Sequence, residues 1–165
     1  MGAFALVVAT VGGACGSGAP KGVDAKNIKQ LPASTISGTY LGLTPEREDV
    51  AGALGDQEGN SYIAGVGLYS LRKGEQLEAT LQVSKLTSNA RPKDEKFQEE
   101  VASQIGGTKV QPFVMGGRTV FRSSLRKQSL TSWFNDKYFM ILSVRETYKT
   151  PRALLRVLLE EVDPK

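Results

Sequence analysis

Hydrophobic and polar residues alternate most regularly between positions 77 and 84 of the chain. The apolar set is Leu77, Ala79, Leu81 and Val83, and the polar set between them is Glu78, Thr80, Gln82 and Ser84. A period of two residues is typical of a β-strand with one face buried and the other in water. Residues 62–71 read as the partner strand, and residues 72–75 between the two predict a hairpin turn.

A second pattern marks the centre of the predicted sheet. Residues 138–144 are apolar at both odd and even positions, which predicts a central strand covered on both faces. Further strands are expected at 110–115, 119–125 and 130–134. Gly116 and Gly117 form the turn between the first two of them, and residues 135–137 form the turn before the central strand.

Helical spacing occurs in two main segments. After Pro92, Phe97, Val101 and Ile105 recur every four residues until Gly106 ends the pattern. Near the C-terminus, Thr150 and Pro151 predict the start of a helix whose apolar stripe is Leu154, Leu155, Leu158, Leu159 and Val162.

A third, short helix is expected between residues 44 and 54. Thr44 is a suitable capping residue, Pro45 suits the first helical position, and the acidic residues that follow favour the positive end of the helix dipole. Val50 and Leu54 supply a thin apolar stripe, and Gly55 ends the segment.

These elements define an α+β domain, an antiparallel sheet with two main helices packed on it. The tetrapeptide Ser-Leu-Arg-Lys occurs at 70–73 and again at 124–127, and each copy precedes strands and a helix that opens with proline. The near-repeat suggests two β-β-α units with both helices on one face of the sheet. A chance match of four residues is the alternative, and the α+β class does not depend on the repeat.

The N-terminal segment indicates export. An apolar run from Phe4 to Val11 is too short to span a bilayer, which needs about 20 residues, but it has the length of a signal-peptide core. Small residues follow, and then Cys15, which is the only cysteine. The segment resembles the lipobox of bacterial lipoproteins, and the small-residue tether after it is similar to those of high-GC Gram-positive bacteria.

The resemblance implies a division of the chain into three parts. Residues 1–14 form a signal peptide, residues 15–39 carry the lipidated Cys15 and a flexible tether, and residues 40–165 form a single α+β domain. A diacylglyceryl anchor with fatty acids such as palmitate would hold the protein on the outer face of the cell membrane. The alternative is a buried N-terminal strand with an ordinary thiol at Cys15.

Charge is distributed unevenly along the chain. The net charge is +4, but residues 118–156 hold nine basic and two acidic residues, a local net charge of +7. Such a segment can bind anionic lipid or a phosphate-bearing polymer. The candidate binding residues are Arg118, Arg122, Arg126 and Lys127, with Trp133 as a stacking platform. The alternative is that the charges are solvated faces and that Trp133 belongs to the core.

The chain has no histidine, which excludes Ser-His-Asp and Cys-His catalysis, and with only one cysteine it also lacks the ligands of the standard structural zinc sites. We expect no catalytic residues, no metal, no cofactor and no nucleic-acid partner. The remaining carboxylate candidates, Asp56 with Glu58 and Glu99 with Glu100, have no catalytic spacing. Three hypotheses follow: a non-catalytic envelope lipoprotein that binds a protein partner or an anionic envelope component, a lipid or small-molecule carrier with a cavity between sheet and helices, and a carboxylate-dependent enzyme.

Overall fold

Strands dominate the protein, whose structure we describe from a computed structural model at residues 10–11, 23–55, 60–106, 110–125 and 128–162. The strands are β1 (Thr10–Val11), β2 (Val23–Asp24), β3 (Lys29–Gln30), β4 (Thr44–Glu48), β5 (Asn60–Ser61), β6 (Ile63–Lys73), β7 (Gln76–Leu86), β8 (Gln111–Met115), β9 (Arg118–Leu125), β10 (Gln128–Phe134) and β11 (Tyr138–Val144). The helices are α1 (Ala51–Gly55), α2 (Glu95–Gly106) and α3 (Pro151–Glu161), with 3₁₀ turns at Ala25–Asn27 and Ala33–Thr35.

Eight of these strands form one sheet in the order β3-β6-β7-β11-β10-β9-β8, with β4 also paired to β6. Every pairing in this sheet is antiparallel except that of β3 with β6. A smaller sheet has the order β1-β5-β2. The α+β class is therefore confirmed, as are the hairpins that the sequence predicts at β6–β7, β8–β9 and β10–β11.

Strand β11 is the centre of the sheet, as its two-sided apolar pattern predicts. It pairs with β7 on one side and β10 on the other, and its residues 138–143 are all buried. Phe139 and Ile141 belong to one hydrophobic cluster, whereas Met140 and Leu142 belong to a second cluster on the opposite face. Strand β11 therefore contributes side chains to both hydrophobic clusters and lies between them.

The two main helices lie on opposite faces of the sheet, so the prediction that both pack on one face is wrong. Phe97 and Val101 of α2 join the cluster of Phe139 and Ile141, whereas the leucines of α3 join the cluster of Met140 and Leu142. The physical reason is β11 itself, because a strand that is apolar on both sides needs a cover on each.

Aromatic rings fill the core beneath α2. The ring centroids of Phe134 and Phe139 lie 4.4 Å apart, and those of Tyr62 and Phe97 lie 5.1 Å apart in an edge-on arrangement. The helix begins at Glu95 rather than at Pro92, because the Asp94 carboxylate accepts a hydrogen bond from the Phe97 backbone N–H at 3.0 Å.

The predicted helix at residues 44–54 is mostly wrong. Residues 44–48 form strand β4, and only Ala51–Gly55 is helical. Strand β4 pairs with the edge of β6, where Glu46 Oε2 lies 3.0 Å from Arg72 Nε and Ser70 Oγ donates a hydrogen bond to Glu48. These tertiary contacts override the local helix-start signals.

The polar face of β7 is buried, which corrects the prediction of a face in water. Glu78, Thr80, Gln82 and Ser84 are each less than one-tenth exposed. Thr80 lies between Ser70 of β6 and Ser143 of β11 in the register, so small polar side chains form a row across three strands. Alternation reports which residues share a face, but not whether another part of the chain covers that face.

The core takes in chain that the sequence assigns to the tether. Ala25, Ile28, Leu31 and Ile36 are all buried, so packing begins well before residue 40. Several sequence-based predictions lie outside the described residues: those on Cys15, Asp56, Glu58, Arg126 and Lys127.

Replacing Phe139 by alanine tests the central role of β11. We expect Phe139→Ala to lower the free energy of unfolding by about 3–5 kcal/mol, because it leaves a cavity beside Phe134 in a fully buried strand. The matched control is Val114→Ala, since Val114 is 74% exposed and should change stability by less than about 0.5 kcal/mol. Urea denaturation followed by circular dichroism measures both, and equal losses would contradict the assignment.

Candidate functional site

The residues that the sequence singles out and the structure describes share a face of the sheet but do not form one exposed surface. Arg118 and Arg122 lie four positions apart on one face of β9, and Trp133 of β10 lies on that same face opposite Val120. Arg122 is exposed, and its guanidinium carbon lies 5.4 Å from the centroid of the Phe113 ring. Trp133 has no exposed surface, so its indole lies in the core beneath α3 and is not an open platform for stacking.

In the described part of the chain, clefts lie at both ends of the large sheet. The smaller cleft, of about 320 Å³, lies beside the start of α2 and is called the α2 cleft. Its lining includes Arg118, Lys93 and Asp136, and Lys93 Nζ is already paired with Asp136 Oδ1 at 3.3 Å. The charges of Lys93 and Asp136 therefore neutralise each other. Arg118 is the cation that remains in the lining of the α2 cleft.

The larger cleft lies beside the start of α3 and is called the α3 cleft. Its volume is about 680 Å³. It is lined by the Tyr40–Leu43 turn, the β6–β7 hairpin and the loop into α3, with the residues Leu41, Leu43, Lys73, Gln76, Glu78, Thr147, Tyr148, Lys149, Thr150 and Ala153. Both charge signs and several apolar side chains thus meet in one concave surface, which makes it the candidate binding site.

One wall of the α3 cleft is a tight turn in an unusual conformation. Tyr40 and Leu43 exchange two backbone hydrogen bonds of 2.9 Å, and between them Leu41 and Gly42 both have positive φ, at 51° and 77°. Leucine is disfavoured there, yet Leu41 is 47% exposed at the mouth of the cleft. Beneath the turn, burial raises the pKa of the Tyr40 hydroxyl, which donates a hydrogen bond to the Ser37 carbonyl at 2.8 Å.

Glu78, which supplies the carboxylate of the α3 cleft, lies at a β-bulge. In the register of β6 with β7, Leu71 faces Ala79 and Arg72 faces Leu77, so Glu78 has no opposite residue. A bulge breaks the alternation of side chains and re-aims the extra residue. This accounts for the presence of Glu78 in the α3 cleft, although alternation places it on the other face from Leu77 and Ala79.

Glu78 is only 8% exposed, and its carboxylate makes no hydrogen bond or ion pair with any described residue. The fully buried side-chain atoms without a partner do not include its oxygens, so the carboxylate keeps contact with water where it lines the cleft. The group is therefore available to a ligand that brings a hydrogen-bond donor or a positive charge.

The opposite sign is supplied by Lys73, Lys149 and the start of α3. Neither ammonium group forms an ion pair within the described part of the chain. The side chain of Thr150 makes no capping hydrogen bond, and Pro151 occupies the first turn, so the N–H groups of the next residues have no acceptor within the helix. Lysines beside free helical N–H groups form a setting that favours anions.

Comparison with known proteins adds no assignment to this geometry. The chain matches no known family model, no curated protein and no solved structure. Within the described ranges, no helix is long and apolar enough to cross a membrane. In the same part of the chain, no three or more His, Cys, Asp or Glu residues are grouped in a way that could hold a metal ion.

Sequence reasoning missed the three charged residues of the α3 cleft. Lys73 looked like part of a hairpin turn, Glu78 like part of a solvated strand face, and Lys149 like one of nine scattered basic residues. No local signal marks a bulge in β7, so the sequence offered no way to place Glu78 beside the two lysines.

The turn at the mouth of the cleft can be tested by stability. Leu41→Asn should raise the free energy of unfolding by about 1 kcal/mol, because asparagine adopts positive φ more readily than leucine. The matched control is Leu43→Asn at the other end of the turn, which is 1% exposed and should be clearly destabilised. Thermal unfolding of both variants gives the measurement. A loss of stability in Leu41→Asn would show that the Leu41 side chain contributes more than its backbone costs.

Proposed function

We propose that this chain is a non-catalytic, lipid-anchored protein of the cell envelope whose domain binds an anionic ligand in the α3 cleft. The observation that carries the ligand assignment is the meeting of two unpaired lysines, Lys73 and Lys149, with the uncapped start of α3. The ligand is an anionic envelope component or an anionic group on a protein partner.

The anchor is supported by the sequence around Cys15, where a short apolar run and small residues resemble a lipobox. Cleavage before Cys15 removes Thr10 and Val11 and with them strand β1. Strand β5 then keeps one neighbour, β2, through the pairing of Val23 with Ser61. The large sheet contains no residue from this segment, so its pairings do not depend on the signal peptide.

Val23, the start of β2, lies eight positions after Cys15, with seven residues between them. An extended chain of that length spans at most about 29 Å, so a lipidated Cys15 would hold the domain close to the bilayer. Val23 pairs with Ser61, which precedes β6, so the chain enters at the end of the sheet where β6 begins. That end carries the α2 cleft, and the α3 cleft lies at the other end, beside Lys73.

Replacing the cysteine tests the anchor. In the native host, Cys15→Ser should move the protein from the membrane fraction to the soluble fraction, because the acceptor of the diacylglyceryl group is gone. Ser17→Ala is the matched control in the same short segment and should stay with the membrane. Intact mass of the unsubstituted protein should show a chain that starts at Cys15 and carries lipid, and an unmodified soluble chain that retains Met1 contradicts the anchor.

Replacing both cleft lysines tests the ligand assignment. The double variant Lys73→Ala with Lys149→Ala should bind inorganic phosphate at least about tenfold more weakly, since each charged hydrogen bond contributes about 1.5–3 kcal/mol. Phosphate titration followed by ¹⁵N NMR should shift the amides of Arg152 and Ala153 in the unsubstituted chain, and added salt should weaken the binding.

The matched control for this pair is Lys29→Ala with Lys137→Ala. Both residues are exposed, and neither lines the α2 cleft or the α3 cleft. The control should keep the affinity of the unsubstituted chain. An equal loss in both double variants would reduce the binding to net charge and contradict the assignment to the cleft, as would phosphate shifts that map elsewhere on the domain.

A further inference from the structure

One residue of the α3 cleft, Glu78, indicates more about the ligand than its negative charge. A site built only for anions gains nothing from a carboxylate in its wall, because like charges repel. Glu78 nevertheless lines the cleft, more than nine-tenths buried and without a partner among the described residues. The inference below rests on the proposed function and concerns the part of the ligand that faces Glu78.

Glu78 stands in the cleft because of a specific irregularity in β7. Both neighbours of the bulge keep ordinary partners, Leu71 with Ala79 and Arg72 with Leu77, so the disruption affects one residue. Arg145, the residue that follows β11, also lies at the bulge, but its hydrogen bonds there are with backbone carbonyls. Its N–H donates to Glu78 O at 3.0 Å and its guanidinium to Leu77 O at 3.1 Å. Arg145 therefore stabilises the bulge and leaves the Glu78 carboxylate without an ion pair.

The rest of the wall fits a small molecule with a short apolar part. Leu41, Leu43 and Ala153 supply aliphatic surface. Tyr148 is half-buried against the hydrophobic cluster that contains Leu43 and Met140. Charges of both signs and aliphatic surface are thus brought together in about 680 Å³. Ligand sites commonly combine an apolar lining with a few polar groups that fix orientation.

The position of the cleft indicates where the ligand comes from. The α3 cleft lies at the Lys73 end of β6, and β5 and β2 lie at its Ile63 end. Strand β6 has 11 residues and spans roughly 33 Å at about 3.3 Å per residue. With the proposed anchor at the Ile63 end, the cleft lies at the end of β6 that is farther from the bilayer, which favours a ligand in solution or on the wall over a headgroup of the protein's own membrane.

We infer that the α3 cleft binds a zwitterion in which a primary ammonium group accompanies a carboxylate or a phosphate. The ammonium donates hydrogen bonds to the Glu78 carboxylate. The anionic group is held by Lys73, Lys149 and the free N–H groups at the start of α3. Each charge of the ligand meets the opposite charge, and the buried carboxylate gains the partner that it lacks in the free protein.

The experiment compares four probes by calorimetric titration of the purified full chain. Phosphoethanolamine and β-alanine carry both charges, whereas inorganic phosphate and ethanolamine carry one each. At least one zwitterion should bind tenfold or more tightly than either single-charge probe. The zwitterion that binds more tightly shows whether the anionic group of the ligand is a phosphate or a carboxylate. Vesicles that contain phosphatidylethanolamine form a further arm, and their binding through the cleft supports the same recognition with a lipid headgroup as the source.

Glu78→Gln is the decisive variant, with Glu75→Gln as its matched control, because Glu75 is an exposed carboxylate of the same hairpin outside the cleft. We expect Glu78→Gln to lower zwitterion affinity to that of the anion alone and to leave phosphate affinity unchanged or raise it, since a like charge is removed from the wall. The same change should leave the urea midpoint of the ligand-free chain almost unchanged, since the carboxylate oxygens are not among the fully buried atoms without a partner. Glu75→Gln should alter neither quantity.

The outcomes separate this inference from the proposed function. If phosphate binds at the cleft but the zwitterions bind no more tightly and Glu78→Gln changes nothing, the zwitterion assignment is overturned and the anion site stands. If none of the probes binds, both are overturned. Weaker phosphate binding in Glu78→Gln would also contradict the inference, because it would assign Glu78 to the folding of the cleft.

Discussion

The burial of β11 on both faces is the constraint on which the rest of the structure depends. Phe139 and Ile141 need a cover on one side, Met140 and Leu142 need another on the opposite side, and α2 and α3 supply them. The chain leaves β11 at Val144, beside the β6–β7 hairpin, so α3 must begin there and cross the sheet from that end. The start of α3 and Lys73 therefore become neighbours as a result of core packing.

The α3 cleft combines a strained turn with a carboxylate that has no described partner. Leu41 has a left-handed backbone conformation at the mouth of the cleft, and Glu78 lines its wall. The conformation of Leu41 costs free energy in the isolated protein, and such strain commonly occurs where a protein binds a ligand. The α2 cleft differs in its carboxylate, because Lys93 and Asp136 already satisfy each other. This contrast, more than the difference in volume, distinguishes the two clefts.

The proposed anchor and the proposed binding site lie at opposite ends of the sheet. The chain enters beside β5, at the end where a lipid anchor on Cys15 would hold the domain, and the α3 cleft lies a full strand length away. With the proposed anchor, the α3 cleft would lie at the end of the sheet farther from the membrane. The proposed ligand, a zwitterion with a primary ammonium, suits that location because it needs no contact with the bilayer.

The sequence by itself determined the elements whose patterns are local: the β6–β7 hairpin, the two-sided strand β11, and the helices α2 and α3 with their apolar stripes. Periodicity reports these because each depends on residues a few positions apart. Only the tertiary structure decided that residues 44–48 form an edge strand, that the polar face of β7 is covered, and that the helices lie on opposite faces. The tertiary structure alone also decided that Glu78 lies at a bulge and lines one cleft with Lys73 and Lys149. A bulge arises from the register between two strands, so neither strand's sequence predicts it by itself.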